Sequence, residues 1–323
     1  MRQLLERLGH PERRYPAIHV VGTNGKSTAT RTIAALLQAE GRRAGAYTSP
    51  HVSGWSERIW VDGAEADFEQ AVARIRAHAE ELGATQFEAL TAAALAEFAD
   101  REVDAAVVEA GLGGRLDATN VVDAPVVLLT NVALEHTDVL GETLEEIAGE
   151  KLAVAHAARV VVRPDNRYDH LIPKSAEIVT GGAREAAEAF LGRTTKSEPA
   201  LQLPGRLDRR GRELWDGAHN PAGTAWLRTV HQERYDVVVA SILADKDADA
   251  MLRDLAELAP RLIATQSTNE RALSASELAR LAARHFQRVD PEPDPREALA
   301  RARESTDGRI LVTGSLYLLA DLS

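Results

Sequence analysis

The sequence predicts an α/β protein with a P-loop domain on a doubly wound, mostly parallel sheet, followed by a smaller Rossmann-like α/β domain. Three observations predict this fold. Short apolar runs alternate with helical patterns along the chain. A glycine-rich turn joins the first apolar run to a helix, and the length of 323 residues suits two domains. We place the boundary between Leu203 and Pro204, so that the domains span residues 1–203 and 204–323.

In the first domain the apolar runs show no polar alternation, which is typical of parallel strands that are buried on both faces. A short amphipathic helix over residues 2–9 precedes them. The predicted strands are 17–21, 43–48, 58–61, 104–109, 124–130 and 159–163. The predicted helices are 26–38, 67–82, 86–101 and 144–157. Residues 165–198 give a weaker pattern, with one short Ala-rich helix.

The second domain repeats the alternation on a smaller scale. Its predicted strands are 213–215, 236–241, 262–265 and 310–313. Its predicted helices are the one that follows Pro221, then 248–258, 276–283 and 295–305. Because ligands of doubly wound sheets bind at the carboxyl ends of the strands, we searched those ends for polar residues.

Composition excludes several classes of function. A net charge of −11 argues against a nucleic-acid partner. The chain has no Cys, which excludes disulfides and thiolate metal sites. No apolar run approaches the 18 residues that a membrane span needs, and residues 1–15 lack the apolar core of a signal peptide. We therefore expect a cytoplasmic protein without a membrane partner.

The strand over 17–21 runs into Gly-Thr-Asn-Gly-Lys-Ser at 22–27. A strand, a glycine-rich turn and a helix N-terminus form a phosphate cradle, in which Lys26 reaches the terminal phosphates and Ser27 a bound Mg²⁺. The full Walker pattern needs a glycine where Val20 stands, so a plain turn with a surface Lys is the alternative. Only five of 38 basic residues are Lys, which favours a specific role for Lys26, Lys151 and Lys246.

Other strand ends carry further candidates. Glu109 ends a strand, as expected of a carboxylate that holds Mg²⁺ in a nucleotide-hydrolysing enzyme. His136 follows the strand over 124–130, and Lys151 lies on the next helix. The alternatives are a solvated loop for Glu109, a structural His, and a solvated Glu150–Lys151 charge pair.

In the second domain, Asp216 and His219 follow the strand over 213–215, and Lys246 and Ser315 follow two other strands. Asp216 could accept a hydrogen bond from a ribose hydroxyl, and the alternative is an Asp that caps a helix. Polar groups at strand ends of both domains suggest that ATP bridges them.

These motifs together resemble the folylpolyglutamate synthase and dihydrofolate synthase family of the Mur ligase superfamily. The matching segments follow the family's order and are highly specific only in combination: 22–27, 48–51 with 57–59, 87–91, 109–120, 136 with 144–151, 204–207, 216–221, 245–247 and 313–317.

The resemblance implies an ATP-dependent carboxylate–amine ligase. ATP phosphorylates a carboxylate of the folate, and the amine of L-glutamate attacks the acyl phosphate. The implied cofactors are ATP and Mg²⁺, and the implied substrates are L-glutamate and a reduced folate or dihydropteroate. Whether dihydropteroate is also used stays open. The family leans towards monomers.

The resemblance also assigns roles to single residues. The residues implied to bind the triphosphate are Thr23, Asn24, Gly25, Lys26 and Ser27. Ser49 and Glu109 are implied to bind one Mg²⁺, and His136 is implied to bind a second metal. Lys151 matches the lysine that is carbamylated in the family to support that metal. From the second domain, Arg206 and Asp216 are implied to contact the nucleotide. The pterin-side pocket is implied to be lined by Thr85, Gln86, Phe87, Glu88, Leu116, Asp117 and Ala118. The residues implied to contact the glutamate or phosphate are His219, Lys246 and Ser315. The implied catalytic residues are Lys26, His136, Lys151 and His219.

The sequence departs from the family in places. Ser27 stands where folate members have glycine, Glu135 replaces an Asp, and the segment 163–204 is short. Two other hypotheses therefore stay open: a ligase for another acceptor such as a peptidoglycan precursor, and an ATP-binding module that has lost catalysis. The segments 48–51 and 87–91 argue against the first, and the joint presence of the implied catalytic residues argues against the second.

Overall fold

The hydrophobic residues of the chain separate into the cores of two compact units in the computed structural model. The structure describes residues 1–199, 201–230 and 233–323. The first unit comprises residues 1–51 and 55–201, and the second comprises residues 52–54 and 202–323. Both units are α/β, and the predicted fold class is confirmed. Within the described residues, no helix combines the length and the apolar character that crossing a membrane requires.

The first unit is built on a mostly parallel sheet with the strand order β4-β3-β2-β5-β1-β6-β7-β8. The strands are β1 Ala17–Val21, β2 Ala44–Tyr47, β3 Ile59–Val61, β4 Ala64–Glu65, β5 Ala105–Glu109, β6 Val126–Leu129, β7 Val160–Arg163 and β8 Glu177–Thr180. The helices are α1 Arg2–Arg7, α2 Lys26–Ala39, α3 Phe68–Glu81, α4 Gln86–Asp100, α5 Thr137–Leu140, α6 Leu144–Leu152 and α7 Ala183–Leu191. Short 3₁₀ turns cover Pro11–Arg13, Trp55–Arg58, Ala153–Ala157 and Asp169–Leu171.

The central strand β1 explains the layering. It pairs in parallel with β5 on one side and β6 on the other. All five of its residues are buried, and Ile18 and Val20 pack in one hydrophobic cluster while Ala17 and Val21 pack in another. Helices α2 and α7 cover the first of these faces, whereas α3, α4 and α6 cover the second. The strand therefore ends in a well-supported position, where the phosphate loop begins.

Local sequence explains where several helices begin. Asp67 caps α3 by accepting a hydrogen bond from the backbone N–H of Gln70. Thr85 and Thr143 start α4 and α6 with capping boxes, in which a Glu three residues later bonds back to the cap. These caps satisfy N–H groups that the first helical turn leaves without partners.

The second unit carries a sheet with the order β13-β12-β11-β14-β10-β9, parallel except for β9. The strands are β9 Asp208–Arg210, β10 Glu213–Trp215, β11 Val237–Ala240, β12 Arg261–Ala264, β13 Arg288–Pro291 and β14 Ile310–Thr313. The helices are α8 Pro221–Val230, α9 Ala248–Leu258, α10 Ala275–Ala282, α11 Pro295–Ser305 and α12 Leu316–Leu322. Residues 52–54 join this unit because Val52 packs with Trp215 and Leu319.

The sequence patterns missed the strands β4, β8, β9 and β13. All four lie at the edge of a sheet, and their residues are exposed or half-buried. Edge strands need no continuous apolar run, and β13 even ends in Pro291. The predicted helix over 144–157 was too long, because α6 ends at Leu152 and a 3₁₀ turn follows.

Candidate active site

The turn after β1 has the shape of a phosphate-binding loop. Gly22 has φ of +149°, and a Cβ added there would lie 1.9 Å from Oγ1 of Thr130. Gly25, with φ of +79°, caps helix α2, which begins at Lys26. Only glycine satisfies both the close approach and the left-handed backbone. The first N–H groups of α2 and its dipole then face the loop, where they favour an anion.

The end of β6 braces this loop. The backbone N–H of Thr23 donates to the carbonyl of Asn131 at 3.0 Å, and that of Asn24 donates to Oδ1 of Asn131 at 2.9 Å. Thr130 Oγ1 donates to the carbonyl of Asn24 at 2.7 Å. The sequence analysis did not select Asn131. Its position immediately after a strand that neighbours β1 was the signal that could have found it.

A buried carboxylate, that of Glu109, bonds to two serines, and all three residues were predicted to hold Mg²⁺ or phosphate. Glu109 ends β5 and is 1% exposed. Its Oε1 accepts a hydrogen bond from Ser27 Oγ at 3.0 Å, and its Oε2 accepts one from the backbone N–H of Ser49 at 3.0 Å. Hydroxyl and carboxylate oxygens next to a phosphate cradle are the donors that Mg²⁺ prefers.

No group of three His, Asp or Glu side chains able to hold a metal converges within residues 1–199, 201–230 and 233–323. Mg²⁺ sites that involve nucleotides use one or two protein carboxylates, and substrate phosphates and water supply the other ligands. The oxygens of Ser27 and Glu109 therefore fit Mg²⁺, and metal binding by the hydroxyl of Ser49, whose backbone N–H contacts Glu109, stays a prediction.

Lys151 is buried beside the loop. Its Nζ donates to the carbonyl of Gly22 at 2.9 Å, and the residue is 4% exposed. Burial, and to a smaller extent the positive charge of Lys26, lower the pKa of Lys151 to about 7. The carboxylates of Glu135 and Asp117 act in the opposite direction on this pKa. A substantial fraction of the amine is therefore neutral near pH 7, and a neutral amine can react with an electrophile.

Two polar candidates of this region remain, Lys26 and His136. Lys26 Nζ donates to the carbonyl of Thr23 at 3.2 Å, so its side chain folds over the turn. His136 has φ of +51° and precedes α5, with its Nε2 at 3.9 Å from Oε1 of Glu135. Metal binding by His136 stays a prediction.

A cavity of about 520 Å³ opens in the first unit. Six of the seven residues predicted for the pterin side line it: Thr85, Phe87, Glu88, Leu116, Asp117 and Ala118. Gln86 is exposed and does not line the cavity. Thr85 and Glu88 also have a structural task, because they form the capping box of α4. A volume of this size is typical of sites for small molecules.

A glycine-rich loop over residues 110–120 packs between this cavity and Lys151. A Cβ at Gly111 would lie 2.5 Å from the ring of Phe87. A Cβ at Gly114 would lie 2.7 Å from the carbonyl oxygens of both Glu150 and Lys151. The glycines thus allow the loop to contact both the cavity wall and the backbone of α6.

In the second unit, the turn after β10 collects several predicted residues. Asp216 accepts hydrogen bonds from the N–H groups of Leu207 at 3.0 Å and Ala218 at 2.9 Å. The guanidinium of Arg206 lies over Gly217, where an added Cβ would meet its Nη1 at 2.4 Å. Asp216 therefore fixes the turn, and its contact with a nucleotide stays a prediction.

The remaining predicted residues lie near this turn or on the loop after β11. His219 Nδ1 and the carbonyl of Gly217 are 2.8 Å apart. Ser315 caps α12, and the preceding Gly314 donates its N–H to the carbonyl of Ala218 at 3.0 Å. Lys246 lies on the loop after β11, with its Nζ at 3.5 Å from Oδ2 of Asp245.

Comparisons with known proteins agree with this arrangement. The Mur ligase middle domain matches residues 20–200, and the Mur ligase glutamate ligase domain matches residues 205–316. The dihydrofolate synthase/folylpolyglutamate synthase of Mycobacterium tuberculosis is 32% identical over 396 residues, which covers 94% of this chain and 81% of the relative.

Two solved structures are also similar to the chain. Escherichia coli FolC in complex with DHPP and ADP has a TM-score of 0.87 and 26% identity, covering 99% of this chain and 90% of that one. The bifunctional folylpolyglutamate synthase/dihydrofolate synthase of Yersinia pestis, complexed with AMPPNP and Mn ion, has a TM-score of 0.86 and 28% identity. The match covers 99% of this chain and 91% of that one. The chain therefore belongs to the Mur ligase family, among its folylpolyglutamate synthase and dihydrofolate synthase members.

Proposed function

We propose that this protein is an ATP-dependent ligase that adds L-glutamate to a folate, with dihydropteroate as a second acceptor. One observation carries the proposal. The phosphate loop, the Ser27–Glu109–Ser49 hydrogen bonds and the buried amine of Lys151 lie on the same unit as a cavity lined by the predicted acceptor residues. This arrangement supports neighbouring sites for a carboxylate and a phosphoryl donor.

The chemistry explains why these groups are needed. A free carboxylate is a poor acyl donor, and transfer of a phosphoryl group from ATP converts it into an acyl phosphate with a good leaving group. Thr23, Asn24, Gly25, Lys26 and Ser27 would hold the triphosphate by backbone N–H groups, the helix N-terminus and the ammonium of Lys26. The amine of L-glutamate then attacks the acyl carbon and displaces phosphate.

Ser49 and Glu109 would hold one Mg²⁺, and His136 a second metal supported by carbamylated Lys151. Bound metal neutralises the negative charge that develops on the transferring phosphoryl group. The near-neutral pKa of Lys151 supports its modification, because only an unprotonated amine can add to carbon dioxide. The structure of the Yersinia pestis relative with AMPPNP and Mn ion supports metal use.

The cavity would receive the pterin end of the acceptor. Phe87 supplies an aromatic wall, Leu116 an apolar rim, and Asp117 a carboxylate. A pterin has a flat ring and an edge of N–H donors, which suits such a combination. The name of the M. tuberculosis relative, dihydrofolate synthase/folylpolyglutamate synthase, supports dihydropteroate as an acceptor, and the E. coli structure with DHPP and ADP supports a second ligand beside the nucleotide.

In this proposal residues 1–203 bind ATP and the acceptor, while residues 204–323 complete the reaction. Arg206 and Asp216 would contact the nucleotide, and His219, Lys246 and Ser315 would handle L-glutamate or phosphate. Every group that the proposal uses comes from one chain, so we further propose that a monomer is active. Sedimentation at the assay concentration would test this.

The test is incorporation of labelled L-glutamate, coupled to ATP hydrolysis, with tetrahydrofolate and dihydropteroate supplied separately. We expect incorporation with both acceptors. Lys26→Ala should abolish it while leaving the fold intact, whereas Lys174→Ala, at an exposed Lys outside the site, should not change it. Incorporation with neither acceptor, by folded protein that binds ATP, would refute the folate assignment.

A further inference from the structure

His19 is a buried polar residue for which the proposed function has no role. It lies in the middle of β1, three residues before Gly22, and is fully buried. Burial, and to a smaller extent the neighbouring His156, lower the pKa of its imidazole to about 3. The ring is therefore neutral at physiological pH. A neutral imidazole carries one N–H, and its neighbours show which nitrogen has it.

The hydrogen bonds of Thr119 determine the tautomer. His19 Nε2 and Thr119 Oγ1 are 2.9 Å apart, and Thr119 Oγ1 donates to Oδ1 of Asp117 at 2.5 Å. Because the hydroxyl has one proton and gives it to the carboxylate, it must accept from His19 Nε2–H.

The other ring nitrogen agrees with this tautomer. Nδ1 of His19 has no hydrogen-bond partner among the described residues. The opposite tautomer would bury an N–H donor at Nδ1 without an acceptor, which is rare and unfavourable in protein interiors. His19 is thus a fixed donor that points at Thr119.

The chain of hydrogen bonds ends in the cavity. Asp117 lines the cavity, and its carboxylate also accepts from the N–H groups of Thr119 at 2.9 Å and Leu112 at 2.8 Å. These donors come from the carboxylate's own loop. His19 is the partner that ties the Thr119 hydroxyl to the central strand of the sheet.

We propose that His19 is a positioning residue for the acceptor. By donating Nε2–H to Thr119, it holds the Asp117 carboxylate in the orientation that meets the N–H edge of a pterin. This inference rests on the proposed function, because it assumes that a pterin acceptor binds the cavity. It adds a residue of β1, the strand that leads into the phosphate loop, to the determinants of acceptor binding.

Three variants of the full chain test the inference by calorimetric binding of dihydropteroate and by steady-state kinetics. His19→Leu removes the donor, Thr119→Val removes the linking hydroxyl, and His19→Gln retains an N–H. We expect His19→Leu and Thr119→Val to raise the Kd and KM for dihydropteroate about tenfold, the factor typical of one lost hydrogen bond. The Kd and KM of His19→Gln should stay within about threefold of wild type, and the KM for ATP should change less than about twofold in all three variants.

A matched control is Thr30→Val, since Thr30 is equally buried and its hydroxyl has no partner among the described residues. It should leave dihydropteroate binding unchanged. A nitrogen NMR spectrum of the wild-type protein should show a neutral, Nε2-protonated imidazole for His19.

The outcomes separate the two ideas. Wild-type protein that binds dihydropteroate, with unchanged Kd in Thr119→Val and His19→Leu, overturns the role of His19 and leaves the proposed function standing. An equal loss of ATP affinity, or an Nδ1-protonated ring, also overturns it. Wild-type protein that binds no dihydropteroate refutes the pterin cavity and the inference together. If His19→Leu does not fold, Thr119→Val decides.

Discussion

Replacing Lys151 by Met should change how the stability of this protein depends on pH. In the unfolded chain the ammonium keeps its proton up to its ordinary pKa of 10.5, but in the native state the pKa is lowered to about 7. Between these values the unfolded state binds more protons, so the free energy of unfolding rises with pH.

The magnitude follows from the shift. At about 1.4 kcal/mol per pKa unit, the full effect is about 5 kcal/mol, of which about 2 kcal/mol falls between pH 7 and pH 9. Lys151→Met lacks a titrating group, so its free energy of unfolding should lack this rise. Turnover should also be lost, since Met cannot replace the amine.

The assay is urea denaturation at pH 7, 8 and 9 in degassed buffer, because carbon dioxide could modify the amine. Wild type and Lys174→Met, at an exposed lysine, should gain about 2 kcal/mol across the series, and Lys151→Met should not. Parallel profiles for wild type and Lys151→Met would show that the buried lysine keeps an ordinary pKa, and would refute the reasoning.

Three further substitutions should have measurable effects. Gly22→Ala should weaken ATP binding and lower stability by about 1–3 kcal/mol, because its Cβ would collide with Thr130; calorimetry with ATP checks this, and unaltered affinity would contradict it. Gly217→Ala should cost about 1–3 kcal/mol in denaturant unfolding, because its Cβ would lie 2.2 Å from Leu316. Wild type should lose about 2 kcal/mol between pH 7 and pH 5 as the unfolded state protonates His19, whose native pKa is about 3. His19→Gln should lose less over the same range, and equal losses would exclude His19 as the source.

The strongest sequence predictions concern residues whose role is set by the local chain. Apolar runs such as that of β1 predict buried parallel strands because both of their faces must be covered. The spacing of Gly22, Gly25 and Lys26 predicts a phosphate loop because a strand, a turn and a helix start suffice to build one. The role of Glu109 was predicted because a carboxylate directly ends the apolar run of β5.

The tertiary structure alone decided which distant groups meet. Ser27, Ser49 and Glu109 come from three separate segments, and hydrogen bonds across the strand ends bring them together. The low pKa of Lys151 and the link from His19 to the cavity depend on burial. Burial and side-chain direction arise from packing between elements far apart in the chain, so a local pattern of residues does not contain them.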